Sequence, residues 1–172
     1  CDVNGDGLDE LIVGNTGTFD APLSYSSIEY FYGDATGYQG TPDHVMSSLT
    51  QGRLFGHGIV CAGDINGDGY NEHIITEPFN TSGEVFGTGV LWLFHGTNST
   101  FPSDPDWQYA PSVANAKVGE AIAPAGDINE DGYDDVYITS RLNSNAGRLE
   151  IFLGSADGLR SDKQLLAEGN SS

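Results

Sequence analysis

Basic residues are scarce in this chain. Six lysines and arginines stand against 25 aspartates and glutamates, a formal charge of −19 over 172 residues. A nucleic-acid binder needs a basic footprint, so that class is excluded. Long apolar runs are missing as well: no stretch approaches the roughly 20 residues of a membrane-spanning helix. Cysteine is limited to Cys1 and Cys61, which allow one intramolecular bridge or two free thiols. No Gly-x-Ser-x-Gly elbow occurs, and His44, His57, His73 and His95 are scattered without a triad-like grouping. No catalytic residue is assigned, and an enzyme is not expected from this segment.

Glycine, by contrast, is plentiful at 24 residues, which suits many short strands joined by tight turns. The apolar share of 38% is modest but sufficient for a core, and the length suits one domain. The most informative feature is an acidic nonapeptide that occurs three times, starting at Asp2, Asp64 and Asp127. In each copy the first, third, fifth and ninth positions carry side-chain oxygen: Asp2, Asn4, Asp6 and Glu10; Asp64, Asn66, Asp68 and Glu72; Asp127, Asn129, Asp131 and Asp135. A glycine at the sixth position permits a sharp turn, and the seventh residue (Leu8, Tyr70 or Tyr133) can offer its backbone carbonyl. Calcium takes about six to eight oxygens in flexible geometry, which alternate residues of a tight turn can supply. Three Ca²⁺ sites are therefore expected, of a closed, structural kind. Plain Asp-Gly or Asn-Gly hairpin turns would need no acids two residues apart, and clustered carboxylates repel one another without a cation.

An EF-hand would place a bidentate glutamate at the twelfth position and leave by a helix. Here that position holds Val13, Ile75 and Ile138, inside short β-branched runs that predict strands. Twelve of the acids lie in the three loops, and three divalent ions would bring the formal charge only from −19 to −13. The remaining imbalance suits an extracellular or salt-adapted surface.

The loops recur at intervals of 62 and 63 residues, and the similarity runs beyond them. Residues 53–63 and 117–126 each read as a strand entering a loop. Each loop is followed by a strand, a polar connection (15–26, 77–88, 140–146), a strand ending at Gly33, Gly96 or Gly154, and a weaker strand near 44–49, 106–110 or 163–167. Tyr30, Phe31, Tyr32, Trp92, Phe94, Tyr137 and Phe152 lie on these strands and are expected in the core. Trp107 and Tyr109 are read as core in preference to a glycan-binding face. Each unit thus amounts to about four antiparallel strands, the content of a propeller blade.

Phe55-Gly56, Ala62-Gly63-Asp64 and Glu77-Pro78, set around the second loop, resemble the FG-GAP repeat of integrin α-subunit β-propellers and their bacterial and archaeal relatives. The flanks are loose: Val118-Gly119 replaces Phe-Gly in the third unit, while all three loops are intact. The resemblance implies an all-β fold of FG-GAP propeller blades. The expected units are approximately 1–50, 51–114 and 115–172, three four-stranded sheets less one inner strand, about eleven strands in all. Propellers close with roughly four to eight blades. The chain is therefore expected to be part of a longer propeller, then, in descending order, part of an oligomeric ring or an open array. The resemblance further implies a non-enzymatic, extracellular or cell-surface module that presents its loops to a protein or glycan partner in adhesion. The alternatives are a structural subunit built from further copies of itself and an accessory domain of a secreted enzyme. Sequons at Asn80, Asn98 and Asn170 are compatible with N-glycans.

Overall fold

The computed structural model describes residues 1–16, 25–51, 54–80, 85–98, 101, 103–141 and 146–169. All of the assigned elements are strands: β1 (Leu11–Asn15), β2 (Tyr25–Phe31), β3 (His44–Gln51), β4 (Ile59–Gly63), β5 (Glu72–Glu77), β6 (Val90–Phe94), β7 (Trp107–Tyr109), β8 (Ile122–Gly126), β9 (Asp135–Arg141), β10 (Gly147–Phe152) and β11 (Gln164–Glu168). They form three antiparallel meanders, ordered β1-β2-β3, β4-β5-β6-β7 and β8-β9-β10-β11. The chain leaves each acidic loop as a strand, as the β-branched runs predict, and the eleven strands among the described residues match the repeat pattern.

One reading needs correction. Of the stretches 53–63 and 117–126, only the last five residues are strand, as β4 and β8, although Gly56 and Gly58 still exchange backbone hydrogen bonds with Thr76, and Gly119 and Ala121 with Thr139. The preceding residues turn sharply. Leu54 and Gly56 take φ of 57° and 86°, and Lys117 and Gly119 take 45° and 85°. The His57 amide bonds to the Leu54 carbonyl at 3.0 Å and that of Glu120 to Lys117 at 3.2 Å. The reason is packing against the preceding sheet. A Cβ on Gly56 would lie 2.6 Å from Ile28 Cδ1, and one on Gly119 would lie 2.7 Å from Thr76 Cβ. Glycine satisfies both the left-handed backbone and the close approach. The neighbouring Phe55 or Val118 only fills the core, so either side chain serves.

Two apolar layers hold the three sheets together. Ile28, Tyr30, Phe55, Ile75 and Phe94 fill the space between the first and second sheets, with Val3 and Phe101. Ile74, Leu91, Leu93, Val136, Ile138 and Phe152 fill that between the second and third. The central sheet is thus covered on both faces, and every residue of β5 is buried. Its neighbour β9 alternates, because one of its faces meets no sheet among the described residues. Trp107 and Tyr109 pack edge-on against Phe152, at 6.2 and 5.0 Å between ring centroids, which supports their reading as core. Cys1 and Cys61, left open by sequence, are disulfide-bonded with Cα atoms 5.5 Å apart, tying the first loop to β4 of the next sheet.

The core makes a direct prediction. Ile74→Ala, at a fully buried position, lowers unfolding free energy by about 2–5 kcal/mol in urea titration. Leu165→Ala, at a position 52% exposed, changes it by no more than about 0.5 kcal/mol.

Candidate metal centres

Each acidic loop sits between the first two strands of its sheet or, for the first loop, directly ahead of β1. In the second and third sheets the pairing slips by one residue just before the loop, between Cys61 and Gly63 and between Pro124 and Gly126. The slip sets Gly63 opposite Glu72 and Gly126 opposite Asp135, so the ninth-position acid closes the loop at its base.

The first-position aspartate gathers the loop's amides. Asp2 Oδ1 accepts the N–H of Gly5 (2.7 Å) and Asp6 (3.2 Å), and its Oδ2 that of Gly7 (3.0 Å). Asp64 does the same for Gly67, Asp68 and Gly69 at 2.7, 3.1 and 3.0 Å. Asp127 takes Asp131 and Gly132 at 3.0 and 2.8 Å. The third-position asparagine accepts the fifth residue's amide in all three loops. Its side-chain amide donates to the fifth-position carboxylate, at 2.9–3.1 Å. That carboxylate in turn accepts the amide of Leu8, Tyr70 or Tyr133. First, third and fifth positions are thereby brought together at the solvent-exposed end of each loop.

The ninth-position acid lies beneath them. Glu10 is 4% exposed, and Glu72 and Asp135 are fully buried. Each accepts the amide of the loop's second residue: Val3 at 2.9 Å, Ile65 at 2.7 Å and Ile128 at 3.1 Å. Glu72 and Asp135 also accept the amides of Gly96 (3.2 Å) and Gly154 (2.8 Å), the glycines that follow β6 and β10. Those glycines admit no side chain, since a Cβ would come within 2.6 Å of Asn71 O or 2.5 Å of Asp134 O. Burial is the first cause that pushes all three carboxyls up, with the first- and fifth-position aspartates adding to it; Glu72 reaches about 7.

The donor set is oxygen only, with one asparagine and three carboxylates per loop. No cluster of three or more Asp, Glu, His or Cys side chains with metal-holding geometry is found among the described residues. In the first loop the Asn4 side-chain amide also bridges Asp6 and Glu10, at 3.1 and 3.2 Å. The residues fit a hard cation. The side chains of Tyr70 and Tyr133 turn away from their own loops, towards Gly5 and Gly67 of the preceding ones. Sequence reasoning missed the eighth position: the amides of Asn71 and Asp134 donate to the carbonyls of Asp2 (3.3 Å) and Asp64 (3.0 Å). The signal was an oxygen-bearing side chain at that position in every copy, Asp9, Asn71 and Asp134.

The histidines take no part in these sites. His73 is fully buried, stacked on Phe94 at 5.2 Å, with its Nε2 sharing a 3.0 Å hydrogen bond with the Tyr30 hydroxyl. Burial pulls it down to about 3, so it is neutral at pH 7.

Glu72 and His73 work against each other in acid. The folded state keeps a proton on Glu72 that the unfolded chain releases above about 4.5, so that stabilisation is complete below 4.5 and lost as pH rises to about 7. His73 has the opposite sense: stability is lost as pH falls below its ordinary 6.5. The Glu72 share is therefore read against Glu72→Gln. In metal-free buffer the urea midpoint of the unsubstituted chain falls relative to that of the variant between pH 4.5 and 7. A parallel pair of profiles contradicts the assignment.

Comparison with known proteins agrees with this architecture. The FG-GAP repeat family matches residues 58–94, from before β4 to the end of β6. Integrin alpha-PS5 of Drosophila melanogaster is 33% identical over 119 residues, 69% of this chain and 12% of that protein. Integrin alpha-PS3 of the same organism is 32% identical over 117 residues, 68% and 10%. Human integrin alpha-IIb is 31% identical over 130 residues, 69% and 12%. The chain spans only about a tenth of the length of these curated relatives. With three meanders of the same design and a matched second repeat, the chain belongs to the integrin-α-like FG-GAP repeat family.

Proposed function

We propose that the three loops hold calcium and that the chain is a calcium-stabilised, extracellular, non-enzymatic module for adhesion, presenting loops to a protein or glycan partner. The observation that carries this reading is the buried ninth-position carboxylate facing two further carboxylates, three times over. The ligands would be Asp2, Asn4, Asp6 and Glu10 with the Leu8 carbonyl; Asp64, Asn66, Asp68 and Glu72 with that of Tyr70; and Asp127, Asn129, Asp131 and Asp135 with that of Tyr133. A divalent ion supplies the positive charge that offsets these acids. The protein's own part is to hold the first aspartate and the base acid in place with backbone amides. The Cys1–Cys61 bridge supports an oxidising, extracellular setting, as do relatives that are integrin α-subunits.

The partner-facing segments are 15–26, 77–88 and 140–146, of which 17–24, 81–84 and 142–145 lie outside the described residues. Among the sequons, Asn98 is exposed and open to a glycan. Asn80 already donates its side-chain amide to Glu77, and Asn170 lies outside the described residues. A second reading is assembly with further copies; a further sheet, of this chain or of a copy, would cover the second position of the third loop. Val3 and Ile65 are 4% and 0% exposed beneath the following sheet, whereas Ile128 is 46% exposed.

Calorimetric titration of metal-stripped protein is expected to show three bound calcium ions, and Asp6→Ala, Asp68→Ala and Asp131→Ala each to remove one. At a hundredfold excess over the dissociation constant, each site adds about 2.7 kcal/mol to stability. If chelation leaves the melting temperature of calcium-loaded protein unchanged, the structural role fails. Light scattering with and without calcium separates the readings: a calcium-dependent polymer favours assembly, and a stable monomer favours a presented module.

A further inference from the structure

Successive loops touch through the same contacts, twice. Tyr70, seventh in the second loop, lays its ring over Gly5, fourth in the first, where an added Cβ would sit 2.6 Å from Tyr70 Cε1. Tyr133 covers Gly67 of the second loop in the same manner, at 3.0 Å. In both pairs the eighth residue's amide donates to the carbonyl of the preceding loop's first residue, Asn71 to Asp2 and Asp134 to Asp64. The second pair is reciprocal, because the Asp134 carboxylate also accepts the Asp64 amide at 2.9 Å. Gly63 makes room for that carboxylate, which a side chain there would overlap.

These contacts fall on the parts of the preceding loop that matter for holding an ion. Asp2 and Asp64 are the residues whose two carboxylate oxygens gather the loop amides. Gly5 and Gly67 sit at the apex of the turn, both with positive φ (73° and 76°). A loop therefore completes only part of its own scaffold. The following loop caps its apex and fixes its first aspartate from the carbonyl side. Tyr70 and Tyr133 are half-buried, while Leu8, which takes the seventh position in the first loop, is 41% exposed.

We infer that the three loops form a coupled row, in which Tyr70 and Tyr133 are positioning residues for the loop before their own, so that an ion bound in one loop raises its neighbour's affinity. This rests on the calcium reading above. The coupling runs through packed atoms and hydrogen bonds between adjacent loops, a contiguous physical path, and linkage makes it mutual. Its expected size is that of ordinary site-to-site coupling, about five- to tenfold in affinity per adjacent pair.

The test combines calcium titration with amide exchange on the whole chain. Asp131→Ala, which disables the third loop, is expected to lower the affinity of the second loop about five- to tenfold. It should also speed exchange at Gly67, Asp68 and Gly69. Tyr133→Leu, which keeps the backbone carbonyl and installs the residue that the first loop carries naturally, does the same, and Tyr133→Phe restores the original behaviour. Exchange at Ile12 and Tyr30, in the first sheet, stays unchanged and shows that the fold is intact. Tyr70→Leu repeats the experiment one loop earlier, read at Gly5, Asp6 and Gly7. Effects confined to the substituted loop overturn the inference. If the unsubstituted chain takes up no calcium, the calcium reading falls instead. The coupling is then judged in metal-free protein, where an unchanged exchange rate at Gly67–Gly69 in Tyr133→Leu overturns it.

Discussion

A carboxylate pressed into the interior at the base of each loop is the constraint on which the rest of this structure depends. Glu72 and Asp135 each join two amides far apart in sequence: one in the loop, Ile65 or Ile128, and one on the glycine after the third strand, Gly96 or Gly154. The loop is therefore part of the sheet and not an appendage to it. The third strand must end in a residue without a side chain, because the chain there passes against the carbonyl of the loop's eighth residue. Burying an acid beside two others is unfavourable by itself. The amides offset part of that cost, and in the proposed calcium-bound state the ion offsets the remainder.

Around these anchors the sheets stack by shape. Both faces of β5 are covered by neighbouring sheets, so it reads Glu-His-Ile-Ile-Thr-Glu yet is buried from end to end. Ile74 faces the third sheet and Ile75 the first, as strand alternation requires. His73 shares the layer with Tyr30 and Phe94 as a neutral, aromatic filler. The turns at Gly56 and Gly119 press backbone against the preceding sheet, which explains why their glycine is needed and the ring of Phe55 can become Val118. Polar links between sheets include those at the loops, from Asn71 to Asp2 and from Asp134 to Asp64, with the Cys1–Cys61 bridge beside the first, and others away from them, from Tyr30 to His73 and from the amides of Lys117 and Val118 to Gly87 and Thr88.

The charge of the molecule follows the same division. Its acids crowd into the loops, while five of its six basic residues lie between Lys117 and Lys163, in the third repeat. There they are drawn into pairs: Arg141 with Glu120, Arg148 and Lys163 with the buried Glu150, and Arg160 with Asp162. Lys163 also lies over the Tyr109 ring, 4.6 Å from its centroid. Glu150 thus resembles the loop acids in its burial but is satisfied by cations of the chain itself, which marks it as structural.

Residue order alone determined the strand count, the antiparallel units, the three oxygen-rich loops and the absence of helices leaving them. Each of these depends on local pattern: alternation, glycine at turns, and acids two residues apart. It misjudged residues 54–58 and 117–121, which run without a break into the apolar residues of β4 and β8, because the preceding sheet that forces them to turn is distant in sequence. Only the tertiary structure decided that Cys1 bonds Cys61, that the ninth acid is buried while the fifth is exposed, and that Tyr70 and Tyr133 lie over a neighbouring loop. The physical reason is the same throughout. The bridge and the tyrosine contacts are set across a sheet-to-sheet contact, with the two cysteines 60 positions apart, and the burial of the ninth acid by a strand that returns beneath the loop, so spacing within one loop carries no record of either neighbour.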